Sequence, residues 1–462
     1  MKISVKNLGA IRQAEFTLGD LTIICGGNNT GKTYATYALF GFLTFWRDTL
    51  SVPVPETLVK RLLDEGLIEI DIQSHIDNAQ AIVDEGCKAY TKNLSRVFAS
   101  SEKYFMDSEF SVNIEASEIQ PSATFERTIG TAKIGLFNIS KNEGSSHLKI
   151  SLLVDKEGVK IPHQIIAEKI SEALEEIIFG KIFPKPFIAS AERTGAAIFR
   201  KELNFSRNRL LEEVSAIKTE VNPFEIMSKV YSDYALPVKS NVDFTRQLES
   251  AAKNESFILQ RHPEILSDFS DIIGGDYLVT RNDELYYVPK GAKIKLTMDE
   301  SSSAVRSLLD IGFYLRHVAA PGDLLIVDEP ELNLHPANQR RVARLFSRLL
   351  QVGIKVFITT HSDYIIKELN TLILLNQDKP RLQALTEHEG YRKDELLDSN
   401  RVRVYIAEES LIKLDGGTRK VRCKTLVPAN VDPNTGIEAR SFDETIEEMN
   451  RIQDEIVWGG EA

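Results

Sequence analysis

Eight residues near the amino end, Gly26-Gly27-Asn28-Asn29-Thr30-Gly31-Lys32-Thr33, fit the pattern G-x-x-x-x-G-K-[ST]. This spacing suits a loop wrapped around phosphate groups. Backbone N–H donors must turn inward, which asks for glycine-like dihedrals and no bulky Cβ. A helix that starts at the lysine adds unpaired N–H groups and its dipole. Lys32 would then reach the β- and γ-phosphates of ATP, and the Thr33 hydroxyl would coordinate Mg²⁺.

Two more segments carry chemistry. In "DLLIVDEPELNLHP" the apolar residues Leu324 to Val327 run into Asp328-Glu329. A buried parallel strand would end there, at the edge where open sheets bind ligands. Asp328 is placed to hold a magnesium-bound water. Glu329 is the candidate base that orients or deprotonates an attacking water. In "KVFITTHSDY" another apolar strand ends at Thr359-Thr360-His361, so His361 is expected at the same edge, sensing the terminal phosphate.

The elements that must position these residues can be read around them. "KISVKN", "AEFTL" and "LTIIC" alternate like short strands, and a helix is expected from Thr33 to about Thr44. Residues 50–130 read as mostly helical. "IGLFNIS" and "LKISLLVD" read as strands, "QIIAEKISEALEEIIFGKIF" as an amphipathic helix and "KPFIAS" as a buried strand. "YLVTRNDELYYVPKGAKIKL" reads as a hairpin turning near Asn282-Asp283. From Asp299 onward the order is helix 302–318, strand, helix 336–351, strand, helix 362–369 and strand "TLILLN". Such alternation marks a parallel sheet with helices on its faces, an α/β fold.

The chain has 462 residues and a formal net charge of −11, with 42% hydrophobic and 27% charged residues. It is too long for one compact core. No apolar run approaches the roughly 20 residues needed to span a bilayer, and "MKISVKNLGA" lacks the apolar core of a leader. Three scattered cysteines, Cys25, Cys87 and Cys423, make neither a disulfide framework nor a zinc site, and a cytoplasmic setting is expected. The acidic balance argues against bulk binding of nucleic acid. It leaves two basic stretches, Arg340/Arg344/Arg348 and "RKVRCK", as solvated faces or local grooves, so DNA or RNA binding stays open.

Taken together, "GGNNTGKT", "LLIVDEPELNLHP" and "ITTHSD" resemble the ATP-binding cassette ATPases, P-loop enzymes with Walker A and Walker B motifs. Within them the chain is similar to the OLD/RecF/SMC-related branch, and "DEPELNLHP" is specific to the stand-alone OLD-like AAA ATPases. The resemblance covers about 1–45 and 295–378. It implies a head with a mixed sheet and an N-terminal antiparallel β lobe, interrupted by helical insertions. The expected layout is 1–45 with Walker A, 46–130 helical insertion, 131–196 β-rich and helical head, 197–272 helical insertion, 273–378 with signature-like segment, Walker B and switch histidine, and 379–462 as a C-terminal extension.

The resemblance also implies a homodimer or higher oligomer with ATP sandwiched between subunits. In "DESSSAVRSLLDIGFYL", Ser301, Ser302 or Ser303 would cap a helix and donate to the γ-phosphate in trans. The usual signature glycines are missing there, so hydrolysis is expected to be slow or regulated. In "SAERTG", Arg193 either faces the nucleotide or forms a structural ion pair. The region after His361 shows no Asp-x-Asp of a Toprim nuclease. The chain resembles the ATPase subunits of Septu, PARIS and retron-associated anti-phage systems, in which a separate effector nuclease is the partner. The alternative is a RecF/SMC-like ATPase that clamps duplex DNA.

Overall fold

Strands with every residue buried form where apolar runs leave no polar face to turn to solvent. Leu21–Cys25 and Leu324–Asp328 are both buried end to end. In the computed structural model they belong to one sheet of six strands. Its order is Lys420–Pro428, Val402–Lys413, Leu21–Cys25, Lys355–Thr360, Leu324–Asp328 and Pro186–Ala189. The last five run parallel, and the first pairs antiparallel with its neighbour. The structure describes residues 1–130, 135–154, 162–199, 234–280, 284–438 and 448–456. The fold is mixed α/β, as the alternation of elements predicts.

The chain divides into two compact units, Met1–Ser4, Phe42–Asn93 and Ser108–Lys185 in one, the remainder in the other. The first unit holds an antiparallel sheet of Leu67–Asp71, His147–Leu152, Gly135–Lys141 and Phe125–Gly130. Its core is aromatic: Phe42 meets Tyr90, Phe110 and Phe183 at ring separations of 5.6, 5.2 and 5.3 Å. The expected helical character of 46–130 is therefore corrected. Leu67–Asp71, Glu109–Asn113 and Phe125–Gly130 are strands within it. Ile68, Ile70, Phe110 and Val112 are buried between exposed neighbours, a period of two that interspersed charges hide in a helical reading.

The second unit carries the six-stranded sheet. Helix Pro336–Gln351 buries Val342, Leu345, Phe346 and Leu349, and three of its arginines are tied down by ion pairs. Arg340 and Arg344 both bond the buried carboxylate of Glu368, and Arg348 bonds Asp268 and Asp394. This arginine stripe is committed to carboxylates within the chain. Segment 371–376, expected as a strand, continues the helix Asp363–Leu375 instead. Ile365, Ile366, Leu369, Leu372 and Ile373 are buried at helical spacing, and the Ser362 hydroxyl caps the start.

The expected helix 302–318 is broken into Ser303–Ser307, Leu309–Phe313 and a wider turn Tyr314–Val318. The Ser307 carbonyl accepts from the Arg193 side chain just where the break falls. The hairpin is present as Gly275–Val279 with Leu285–Pro289, while its tip, with Asn282-Asp283, lies outside the described residues. The largest correction concerns 379–462. Its strands Val402–Lys413 and Lys420–Pro428 complete the main sheet beside Leu21–Cys25 and are not an appendage.

Candidate active site

Strand register decides what meets at the sheet edge. Cys25 pairs with Thr360, and Thr359 pairs with Asp328. Three neighbouring parallel strands therefore end level, and the chain leaves them as the phosphate loop, as His361 and as Glu329. The sheet's carboxyl edge is the ligand side of such folds.

The loop needs its glycines. Gly26 has φ +134° and Gly31 φ +105°. A Cβ on Gly26 would sit 2.5 Å from the Ala407 carbonyl oxygen, and one on Gly31 2.5 Å from Ile11 Cγ1. Asn29 also takes a positive φ of 60°, which asparagine tolerates. Gly27, Asn28 and Asn29 are exposed, and the Thr30 hydroxyl closes the loop on the Gly27 carbonyl at 2.9 Å. Lys32 opens the helix Lys32–Thr49 and is only 6% exposed. Its ammonium donates to the carbonyls of Gly26 and Gly27 at 3.1 and 2.7 Å. Burial pulls its pKa down, and Glu329 and Asp328 push it back up. Thr33 is exposed on the first turn, at the mouth of a cavity of about 670 Å³ that Tyr34, Tyr37, Phe98 and Tyr104 also line.

Opposite this loop stand the acids. Asp328, 2% exposed, accepts from the Thr359 hydroxyl. Burial pushes its carboxyl up to about 6, against the Thr359 hydrogen bond. Glu329 lies 3.3 Å from His361 Nε2, and that hydrogen bond holds its pKa below the usual carboxylate range. Glu329 has φ +51°, a conformation costing on the order of 1–3 kcal/mol for a residue other than glycine. Its N–H donates to the Thr359 carbonyl at 3.0 Å.

Two residues of this site were not assigned from the sequence. Glu331 accepts from the His361 N–H at 2.6 Å and from the Thr360 hydroxyl at 2.9 Å, tying the histidine turn to the acidic turn. Its place two residues after Glu329 in "DEPEL" was the available signal. The second is Lys424, whose ammonium donates to the Asn29 carbonyl at 2.9 Å. "RKVRCK" thus places one of its cations against the phosphate loop.

Arg193 does not take the nucleotide-facing place. It is 1% exposed and donates to four main-chain carbonyls, Ser190, Ser307, Asp328 and Glu329, at 2.8, 2.6, 2.6 and 2.9 Å. Nearby Asp310 is buried, and desolvation pushes its carboxyl up to about 7 while Arg193 and the Thr245 hydroxyl pull it down. A carboxyl raised on folding stabilises the fold fully below its ordinary value of 3.8, and that contribution is lost as pH rises through about 7. Asp310→Asn, neutral at every pH, should therefore show a flatter melting temperature across that window than the native chain. Parallel slopes in both proteins would refute the shift.

The signature-like serines make local bonds. Ser301 is buried and donates to the Met298 carbonyl at 2.7 Å. Ser302 caps the five-residue helix Ser303–Ser307 by accepting from Val305 N–H at 3.3 Å. Ser303 is exposed beside it. The donors gathered at the sheet edge fit a magnesium nucleotide. Asp328 and Thr33 offer oxygen, which a hard cation prefers, and the loop and Lys32 offer N–H groups to anionic phosphate.

No curated protein matches the chain significantly. Solved structures similar to it include an Smc head bound to the C-winged helix domain of ScpA (11% identity, 92% of this chain and 97% of that one, TM-score 0.31). An SMC head domain from Thermotoga maritima is 10% identical over 93% and 98%, with a TM-score of 0.29. An Smc head with an extended coiled coil, bound to the C-terminal domain of ScpA derived from Pyrococcus furiosus, is 13% identical over 98% of each chain, with a TM-score of 0.28. Among the described residues no helix is long and apolar enough to cross a membrane. Residues 1–366 match the AAA ATPase domain family, AAA_15, and the chain belongs to that family.

Proposed function

We propose that the chain is a slow, regulated ATPase that works as a nucleotide-controlled subunit beside a separate effector. The observation carrying this reading is the strand register that sets the phosphate loop, Asp328-Glu329 and His361 level at one sheet edge. Lys32 and the loop N–H groups hold the β- and γ-phosphates. Thr33 and Asp328 would hold Mg²⁺, which when bound would offset the negative charge that develops on the phosphate. Glu329 orients the attacking water and His361 steadies Glu329. The His361 contact holds the Glu329 pKa below the usual carboxylate range, so the carboxylate is ionised at neutral pH. Slow turnover is proposed from the absence of the usual signature glycines in "DESSSAVRSLL".

The regulatory part rests on the OLD-like run "DEPELNLHP". By that resemblance two heads close on two ATP molecules, with Ser302 or Ser303 reaching across. Closure shifts the population that a partner recognises. The partner proposed is an effector nuclease of an anti-phage system, and the setting is cytoplasmic. Co-purification with the product of a neighbouring nuclease gene, with ATP and without nucleotide, tests this. A monodisperse complex is expected, and no association in any nucleotide state overturns it. DNA-stimulated hydrolysis that falls steeply with salt would favour the duplex-clamping alternative.

A further inference from the structure

Arg193 is a fully buried charge that the proposed chemistry does not use. Its surroundings are unusual for a guanidinium. Its hydrogen bonds go to the four carbonyls named above, and among the described residues no carboxylate pairs with it directly. Its acidic neighbour Asp310 has one oxygen without a hydrogen-bond partner. Burying such a charge is costly, and an apolar side chain of equal volume would often stabilise a core as well. The arrangement is better explained by what the guanidinium holds.

Two of the four carbonyls belong to Asp328 and Glu329, the residues at the turn out of the acidic strand. Glu329 sits there in the left-handed region, and the Arg193 fork takes the carbonyls on both sides of its N–Cα–C unit. A third bond goes to Ser307, in the short helix behind the signature-like serines. Arginine alone among side chains offers five donors in a rigid plane that stays charged. We propose that Arg193 is a positioning residue for hydrolysis, clamping the Asp328–Glu329 main chain so that the Glu329 carboxylate stays on His361, and joining that turn to the Ser303–Ser307 helix.

This rests on the proposed role of Glu329, and the test separates the two. Arg193→Lys and Arg193→Gln are made in the native chain and in Glu329→Gln, and ATP affinity and single-turnover hydrolysis are measured for each. In the native background the rate should fall about tenfold to a hundredfold, the effect of displacing a catalytic group by roughly 1 Å. ATP affinity should stay near native. In the Glu329→Gln background the Arg193 changes should cost nothing more, because the group they misplace is already gone. Losses that multiply in the double variants, or lost ATP affinity at an unchanged rate, would reduce Arg193 to a structural residue. Full hydrolysis by Glu329→Gln alone would instead overturn the role of Glu329. If Arg193→Gln does not fold, Arg193→Lys, which keeps the charge and shortens the fork, carries the comparison.

Discussion

Glu329→Gln should lower ATP turnover by at least about a hundredfold, within the usual range for removing a general base, while ATP still binds. Glutamine keeps the size and one carbonyl oxygen, so the contact with His361 at 3.3 Å survives as a neutral hydrogen bond. What disappears is the negative charge facing the water. The phosphate loop, Lys32, Thr33 and Asp328 are untouched. The ATP-bound form should therefore accumulate, and with it the closed pair of heads. Two measurements check this, phosphate release and sizing by light scattering with ATP. Native hydrolysis by the variant would show that Glu329 is not the base.

Lys32→Ala should have the opposite signature, with binding itself lost. A charged hydrogen bond is worth about 1.5–3 kcal/mol, and the ammonium is expected to serve two phosphates. Since 1.4 kcal/mol is tenfold in affinity, a loss of about a hundredfold or more follows. The nucleotide-free fold should suffer little. Among the described residues Lys32 bonds the Gly26 and Gly27 carbonyls, and burial already disfavours its charge. The clean readout is the rise in melting temperature on adding ATP, which scales with the logarithm of ligand over Kd. It should vanish in the variant while the unliganded melting temperature stays near native. Retention of the ATP-induced shift would remove the phosphate loop from the site.

The parts legible in sequence were those where one local rule dominates. Fully apolar strands, a glycine pattern before a lysine, and acids placed after an apolar run each need only a few neighbouring residues to be read. Strand neighbours do not. Nothing near Val402 states that it pairs with Leu21, because that choice is made by burial and hydrogen bonding across the whole sheet. For the same reason Arg193 could be noticed but not placed. Besides the adjacent Ser190 its partners come from two distant segments, and all are main-chain atoms, which leave no trace in residue type. The reading of 371–376 failed for a simpler cause. Six mostly apolar residues fit a strand or a buried helix equally, and only the phase set by Ile365 and Leu369 decides.

The strand that starts the phosphate loop lies between Lys355–Thr360 and Val402–Lys413, and Ala407 leaves no space beside Gly26. During synthesis on the ribosome, the Walker A segment emerges long before either flanking strand exists. It must wait as an apolar ribbon with two open edges, a state prone to pairing with the wrong chain. The bed on which the phosphate loop rests is therefore finished only after Val402–Lys413 has been made, late in the chain.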